Sequence, residues 1–159
     1  MTYNFAFASS SASTASDPFS ARHGQSLPAA LRAECAAMSW NQFESTYSAM
    51  SGPIRLGAWS IEKTAPGRWT FEATLGLGER IQKMSATTTG PIAAMTSMLY
   101  EAGISLEILS FHQQQIGRRT ATFILAESDG RRLWAMGIAG SPTESSLRAM
   151  TSAANRFEN

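Results

Sequence analysis

The sequence predicts an α+β fold of two pseudo-symmetric βββα units, in which each helix packs on an antiparallel sheet. Two helical stretches repeat one apolar spacing, which describes one face of an α-helix. The first carries Ile92, Met95, Leu99 and Ala102, and the second Leu147, Met150, Ala154 and Phe157. The letters Ala-Met-Thr-Ser also recur, beginning at Ala94 and again at Ala149. This duplication favours a pseudo-symmetric binding module over an enzyme with a single cleft.

The first 25 residues are dominated by small residues, with serine and alanine most frequent. Their only large apolar anchors are Phe5, Phe7 and Phe19. Such a composition predicts a mostly disordered tail over residues 1–25.

A short helical lead-in is predicted next, over residues 26–52. Ser26 and Pro28 favour the start of an amphipathic helix. Ser39 and Gln42 form the pattern S-x-x-Q, a capping box that opens a second helix, and Gly52 marks its end. Residues 53–159 are left to form the βββα domain.

The first βββα unit begins where the apolar period changes from helical to alternating. Three strands are expected, over residues 54–58, 69–77 and 80–87, joined by glycine-containing turns. Gly90 and Pro91 then open a helix, and Gly103 follows its end as a C′ residue.

The second unit repeats this order of elements. Strands are expected over residues 105–115, 118–127 and 131–139, with turns at Gly117 and Gly130. The sequence Ser141-Pro142-Thr143-Glu144 is a capping box with proline in the first helical position, and it predicts the start of the second helix.

Charge and cysteine content exclude several classes of function. The formal net charge is +1 and no basic run is present, so neither nucleic acid nor an anionic membrane surface is expected as a partner. Cys35 is the single cysteine, which excludes an intramolecular disulfide framework and a cysteine zinc site. No secretory signal or transmembrane stretch is found. We expect a cytoplasmic protein.

Residues that could carry catalysis do not converge. His23 and His112 stand apart from any metal-ligand spacing, and no nucleophile or phosphate-loop motif is found, so no catalytic residue, metal or cofactor is predicted. The two helix starts, residues 87–92 and 139–144, could instead bind a carboxylate through unpaired backbone N–H groups. The alternative is that Thr89 and Ser141 simply cap their helices.

Two stretches resemble a known family. Thr89-Gly90-Pro91-Ile92-Ala93-Ala94 is similar to a G-P-[LVI]-x-A segment, and the other stretch comprises residues 134–139, 145–149 and 153–156. Both resemble the C-terminal regulatory (LeuA dimerisation) domain of 2-isopropylmalate synthase and of the related citramalate and homocitrate synthases. The resemblance covers about residues 39–157.

This resemblance implies a dimer that binds a feedback inhibitor, leucine in isopropylmalate synthases, near the dimer interface. Carried over position by position, the ligand-binding residues would be Gly90, Pro91, Ile92, Ala93, Ile108, Phe111, Gln115, Ala139, Ser141 and Pro142. The sequence departs from the family pattern at Thr87–Thr89, at Phe111, where an aromatic hydroxyl is common, and at Gln115, where a small residue is common.

The synthases of this family also carry a catalytic (β/α)8 barrel, which needs about 250 residues and cannot fit in this chain. The first hypothesis is therefore a stand-alone, homodimeric amino-acid sensor that could pair with a full-length synthase and regulate it in trans. The second is a purely structural dimerisation domain whose pocket has decayed, motivated by Gln115 and Thr87–Thr89. A small enzyme is the least supported reading. Because Met1 and an unrelated serine-rich segment begin the sequence, we expect a natural short protein.

Overall fold

Three short helices form the N-terminal part of the described chain. The computed structural model describes residues 17–158, with helices α1 (Pro18–His23), α2 (Ala29–Cys35) and α3 (Trp40–Tyr47). Backbone contacts divide the chain into two units, with the boundary between Thr46 and Tyr47.

Helix α1 corrects the predicted disorder of residues 17–25. The backbone N–H of Ser20 donates to Asp17 Oδ1 at 2.8 Å, and Gly24 ends the helix with φ +69°. Phe19 is fully buried. Asp17-Pro18 is an N-cap followed by a proline at N1, a local start signal that the low-complexity composition around it obscured. The rest of the predicted tail, residues 1–16, lies outside the described residues.

The capping box of α3 is confirmed. The backbone N–H of Ser39 donates to Gln42 Oε1 at 2.9 Å, and the Gln42 N–H donates to Ser39 Oγ at 3.2 Å. Helix α2 begins later than predicted, because Pro28 occupies the N-cap position in place of Ser26.

The predicted pair of βββα units is confirmed. The first comprises β1 (Ile54–Ala65), β2 (Arg68–Leu77), β3 (Arg80–Thr88) and α4 (Pro91–Glu101). The second comprises β4 (Glu107–Ile116), β5 (Arg119–Ser128), β6 (Arg131–Ala139) and α5 (Pro142–Glu158). Each sheet is antiparallel with its strands in chain order.

Strand β1 is longer than its sequence pattern indicates. Its second half pairs with β2, through partners such as Ile61 with Phe71 and Lys63 with Trp69. Most of these β1 residues are exposed, so no apolar alternation marks them. Backbone pairing with β2 extends the strand where its own side chains do not predict one.

Helix α4 ends in the predicted left-handed glycine. Gly103 has φ +92°, its N–H donates to Tyr100 O at 3.0 Å, and the Ile104 N–H donates to Leu99 O at 2.8 Å. This pair of bonds is a Schellman motif.

The core lies where α4 and α5 pack on the sheets. Helix α5 contacts β5, β6, α4 and β1, and almost every residue from Ser145 to Asn155 is buried. Small and hydroxyl side chains allow this burial; for example, the Thr151 hydroxyl donates back to Leu147 O at 2.9 Å. None of the helices formed by residues 17–158 is long and apolar enough to cross a membrane.

Candidate functional site

A cavity of about 710 Å³ lies between the start of α4, strand β4 and the start of α5. It is open to solvent and its surface is mainly apolar. This volume falls within the range of about 300–1,000 Å³ that is usual for small-molecule sites. Its lining consists of Thr89, Gly90, Pro91, Ile92, Ala93, Thr96, Leu106, Glu107, Ile108, Phe111, Gln113, Pro142, Thr143 and Ser146.

The start of α4 forms part of the cavity lining. Gly90 is the N-cap and Pro91 the first helical residue, and within the described chain no side chain caps this end. Ile92 and Ala93, in the first turn, therefore have backbone N–H groups without an intrahelical acceptor. These groups and the positive end of the helix dipole suit a carboxylate.

The alternative that Thr89 caps α4 is wrong. Because Pro91 takes the first helical position, the residue directly before it, Gly90, is the N-cap. The hydroxyl beside this turn belongs to Thr88, which donates to Gly90 O at 2.8 Å.

A β-bulge in β4 places two apolar side chains on the cavity wall. Ile108 pairs with Ala126, whereas Ser110 pairs with Leu125, so β4 contains one extra residue between these pairs. The extra residue shifts the alternation, and Ile108 and Phe111 share a face despite their odd spacing. Phe111 is 46% exposed and available to contact a ligand.

The start of α5 forms the remaining wall. Pro142, Thr143 and Ser146 line the cavity. The Ser141 hydroxyl accepts from the Glu144 N–H at 3.1 Å, which confirms the predicted cap and occupies Ser141 in the helix start.

The structure brings most of the predicted ligand-binding residues together, namely Gly90, Pro91, Ile92, Ala93, Ile108, Phe111 and Pro142. It leaves three outside the lining. Gln115 lies on β4 outside the cavity lining, and its Oε1 accepts a hydrogen bond from Thr120 Oγ1 at 3.1 Å. Ala139 is buried at the end of β6, opposite Thr120. Ser141 is the cap described above.

Several lining residues were not predicted from the sequence: Thr89 as a contact, Thr96, Leu106, Glu107, Gln113, Thr143 and Ser146. The spacing of some of these residues along the sequence could have predicted them. Gln113 lies between Phe111 and Gln115 at a period of two, and so shares their face of the strand. Ser146 follows Pro142 by one helical turn, as Thr96 follows Ile92.

The side chains of the cavity lining are mostly uncharged. Among the described lining residues, Glu107 alone carries a charge. His112 lies on the other face of β4, with its ring 6.0 Å from that of Trp134. In residues 17–158 no group of three histidine, cysteine, aspartate or glutamate side chains is arranged to hold a metal ion.

The chain is similar to several 2-isopropylmalate synthases. The 2-isopropylmalate synthase of Thermobifida fusca is 31% identical over 123 residues, which cover 75% of this chain and 22% of the relative. The 2-isopropylmalate synthase of Corynebacterium efficiens is 31% identical over 156 residues, which cover 84% of this chain and 27% of the relative. The 2-isopropylmalate synthase of Corynebacterium glutamicum strain R is 29% identical over 156 residues, which cover 84% of this chain and 25% of the relative. The chain spans about a quarter of the length of these relatives.

Residues 37–158 match the profile of a family described as the LeuA allosteric (dimerisation) domain. The match contains all of the cavity and both βββα units, and it confirms the resemblance seen in the sequence. The chain therefore belongs to the family of LeuA allosteric (dimerisation) domains and is homologous to the regulatory part, not the catalytic barrel, of 2-isopropylmalate synthase.

Proposed function

We propose that this chain is a homodimeric amino-acid sensor that binds a leucine-like ligand in the cavity between α4, β4 and α5. The observation that carries the proposal is the composition of the cavity, which joins an uncapped helix start to apolar walls within one space large enough for a small molecule.

The ligand's two ends match different parts of the lining. A carboxylate would accept from the backbone N–H groups of Ile92 and Ala93, and the carboxylate of Glu107 is the available partner for an ammonium group. An aliphatic side chain would pack against Ile108 and Phe111. Burial of a side chain of leucine size contributes about 1.5–3 kcal/mol.

Regulation is the role that the family description and the relatives support. The family is described as allosteric and dimerising, and the relatives are synthases. We propose that the chain forms a homodimer in the cytoplasm, lacks condensing activity by itself, and regulates a full-length 2-isopropylmalate synthase-type enzyme in trans. The remaining predicted residues, Gln115, Ala139 and Ser141, would act behind the cavity wall rather than on the ligand.

The structural alternative, a dimerisation domain with a decayed pocket, rested on Gln115 and Thr87–Thr89. Gln115 lies outside the lining and does not narrow the cavity. The Thr87 hydroxyl is hydrogen-bonded to that of Thr70 at 2.8 Å, and Thr88 bonds the Gly90 carbonyl. Of the three threonines only Thr89 reaches the cavity, so these departures leave the cavity open.

A thermal-melt screen against the twenty amino acids tests the proposal, combined with sedimentation at tens of micromolar protein. A ligand that binds only the folded protein raises the melting midpoint with concentration. A rise with one branched-chain amino acid, on a dimer, is the expected result. A dimer that no amino acid stabilises would favour the structural alternative, and a monomer would argue against both.

A further inference from the structure

The side chain of Gln113 connects strand β4 to the start of α5. Its Nε2 lies 2.9 Å from Thr122 Oγ1 on β5, 3.1 Å from Pro142 O and 3.2 Å from Ser146 Oγ. Two of these acceptors, on Pro142 and Ser146, belong to residues that line the cavity. One amide group thus bridges two walls of the cavity.

The hydrogen bonds beyond Gln113 have one consistent direction. Ser145 Oγ donates its single proton to Gly137 O at 2.9 Å. In the 2.6 Å contact between Thr122 Oγ1 and Ser145 Oγ, Thr122 must then be the donor. Thr122 Oγ1 in turn accepts from Gln113. The chain of bonds runs from the cavity wall to the β6 backbone, and each bond polarises the next.

Ser146 Oγ, like Thr122 Oγ1, must accept its hydrogen bond from Gln113. Its hydroxyl donates to Pro142 O at 2.9 Å and can only accept from Gln113. All three atoms around Gln113 Nε2 are therefore acceptors, and this position needs a side chain with N–H donors. A glutamate there would place negative charge against the Pro142 carbonyl oxygen.

We propose that Gln113 is the positioning residue of the cavity: its amide donors hold the first turn of α5 against β4 and thereby set the affinity for the ligand. This inference rests on the proposed function, because it concerns the same cavity. Gln113 is exposed on the strand surface, so its replacement should change the position of the wall more than the stability of the fold.

Two replacements of Gln113 test this role with L-leucine as the probe. Gln113→Glu and Gln113→Met keep the length of the side chain and remove its donors, and Gln82→Glu on exposed β3 is the charge-matched control. We expect both Gln113 variants to bind leucine about tenfold more weakly at pH 7.5, with an unfolding midpoint within a few degrees of the wild type. We expect Gln82→Glu to match the wild type.

Lower pH separates positioning from a simple loss of packing. A protonated glutamic acid regains one O–H donor, and glutamate has a reference pKa of about 4.3. Gln113→Glu should therefore recover affinity as the pH falls from about 6 to about 4, whereas Gln113→Met should not. The charged groups nearby are Glu107 of β4 and Glu144 of α5, which is paired with Arg148 at 2.8 Å. These groups are common to both variants, and α4 adds no charge to the lining.

Hydrogen exchange provides a readout that needs no ligand. Both variants should exchange the backbone amides of Ser145 and Ser146 several-fold faster than the wild type and the control. Wild-type leucine affinity together with unchanged exchange in Gln113→Glu would overturn the inference. If the wild type does not bind leucine, the proposed function fails for this ligand, and the exchange rates alone still decide whether Gln113 positions α5.

Discussion

The carboxamide of Asn155 pairs with both backbone groups of Ile54. The Ile54 N–H donates to Asn155 Oδ1 at 2.8 Å, and Asn155 Nδ2 donates to Ile54 O at 2.9 Å and to Ala49 O at 2.7 Å. Asn155 is fully buried. Because Asn155 belongs to α5 and Ile54 begins β1, this contact joins the last helix of the second βββα unit to the first strand of the first.

Replacement of Asn155 should therefore destabilise the fold strongly. Asn155→Ala removes the side-chain partner of two buried backbone groups, the N–H and C=O of Ile54, and of the half-buried Ala49 O. A buried polar group left unsatisfied costs about 1–3 kcal/mol. We expect a loss of about 3 kcal/mol in the free energy of unfolding, measured by urea denaturation. Asn41→Ala, at an exposed position, is the control and should change it by less than about 0.5 kcal/mol. An Asn155→Ala protein as stable as this control would show that Ile54 finds other partners.

Gly137 permits the close approach of β6 and α5. A Cβ atom at this position would meet the helix backbone at Ser145 O and Ala149 N. Backbone atoms cannot yield as a flexible side chain does, so Gly137→Ala should cost about 3 kcal/mol or more in the free energy of unfolding. Gly140→Ala is the matched control, since an added Cβ there meets no described atom within 4 Å. Equal thermal midpoints for the two variants would contradict the packing argument.

A negative charge at the start of α4 should separate folding from binding. Ala93 is exposed and lines the cavity, and glutamate in the first turn of a helix is favoured by the helix dipole. We expect Ala93→Glu to keep the melting temperature within a few degrees while it repels a ligand carboxylate and weakens amino-acid binding at least tenfold. Ser97→Glu, one turn later on α4 and outside the lining, should bind normally. Calorimetry that shows full affinity in Ala93→Glu would place the carboxylate elsewhere.

The thiol of Cys35 is free and buried. Desolvation, together with the negative charge of Asp17, raises the pKa of Cys35 to about 11 from a reference of 9.0. The folded protein keeps its proton where the unfolded chain releases it, so stability is complete below about pH 9 and falls as pH rises toward 11. We expect slow labelling by a thiol reagent at pH 8 until the chain is unfolded. Cys35→Ala should remove this contribution to the loss of stability at alkaline pH. Rapid labelling of the native protein would contradict the raised pKa of Cys35.

Local signals were sufficient for most of the secondary structure. The capping box at Ser39, the N-cap at Ser141 and the left-handed Gly103 depend on residues within a few positions, and these three features formed as the sequence predicts. Local signals did not predict the helix cap at Asp17, which lies in a segment of low-complexity composition. They also did not predict residues 59–65 of β1, which are held in the strand by hairpin pairing with β2.

The sequence by itself determined the two βββα units and the family, because an apolar period and a helix cap are encoded by adjacent residues. The tertiary structure decided which side chains meet. Only strand pairing reveals the bulge that aligns Ile108 with Phe111, and only the packing of α5 distinguishes Gln113, inside the cavity, from Gln115, outside it. Both glutamines have the same chemistry and lie on the same strand face, so their separation depends on where the cavity ends in space.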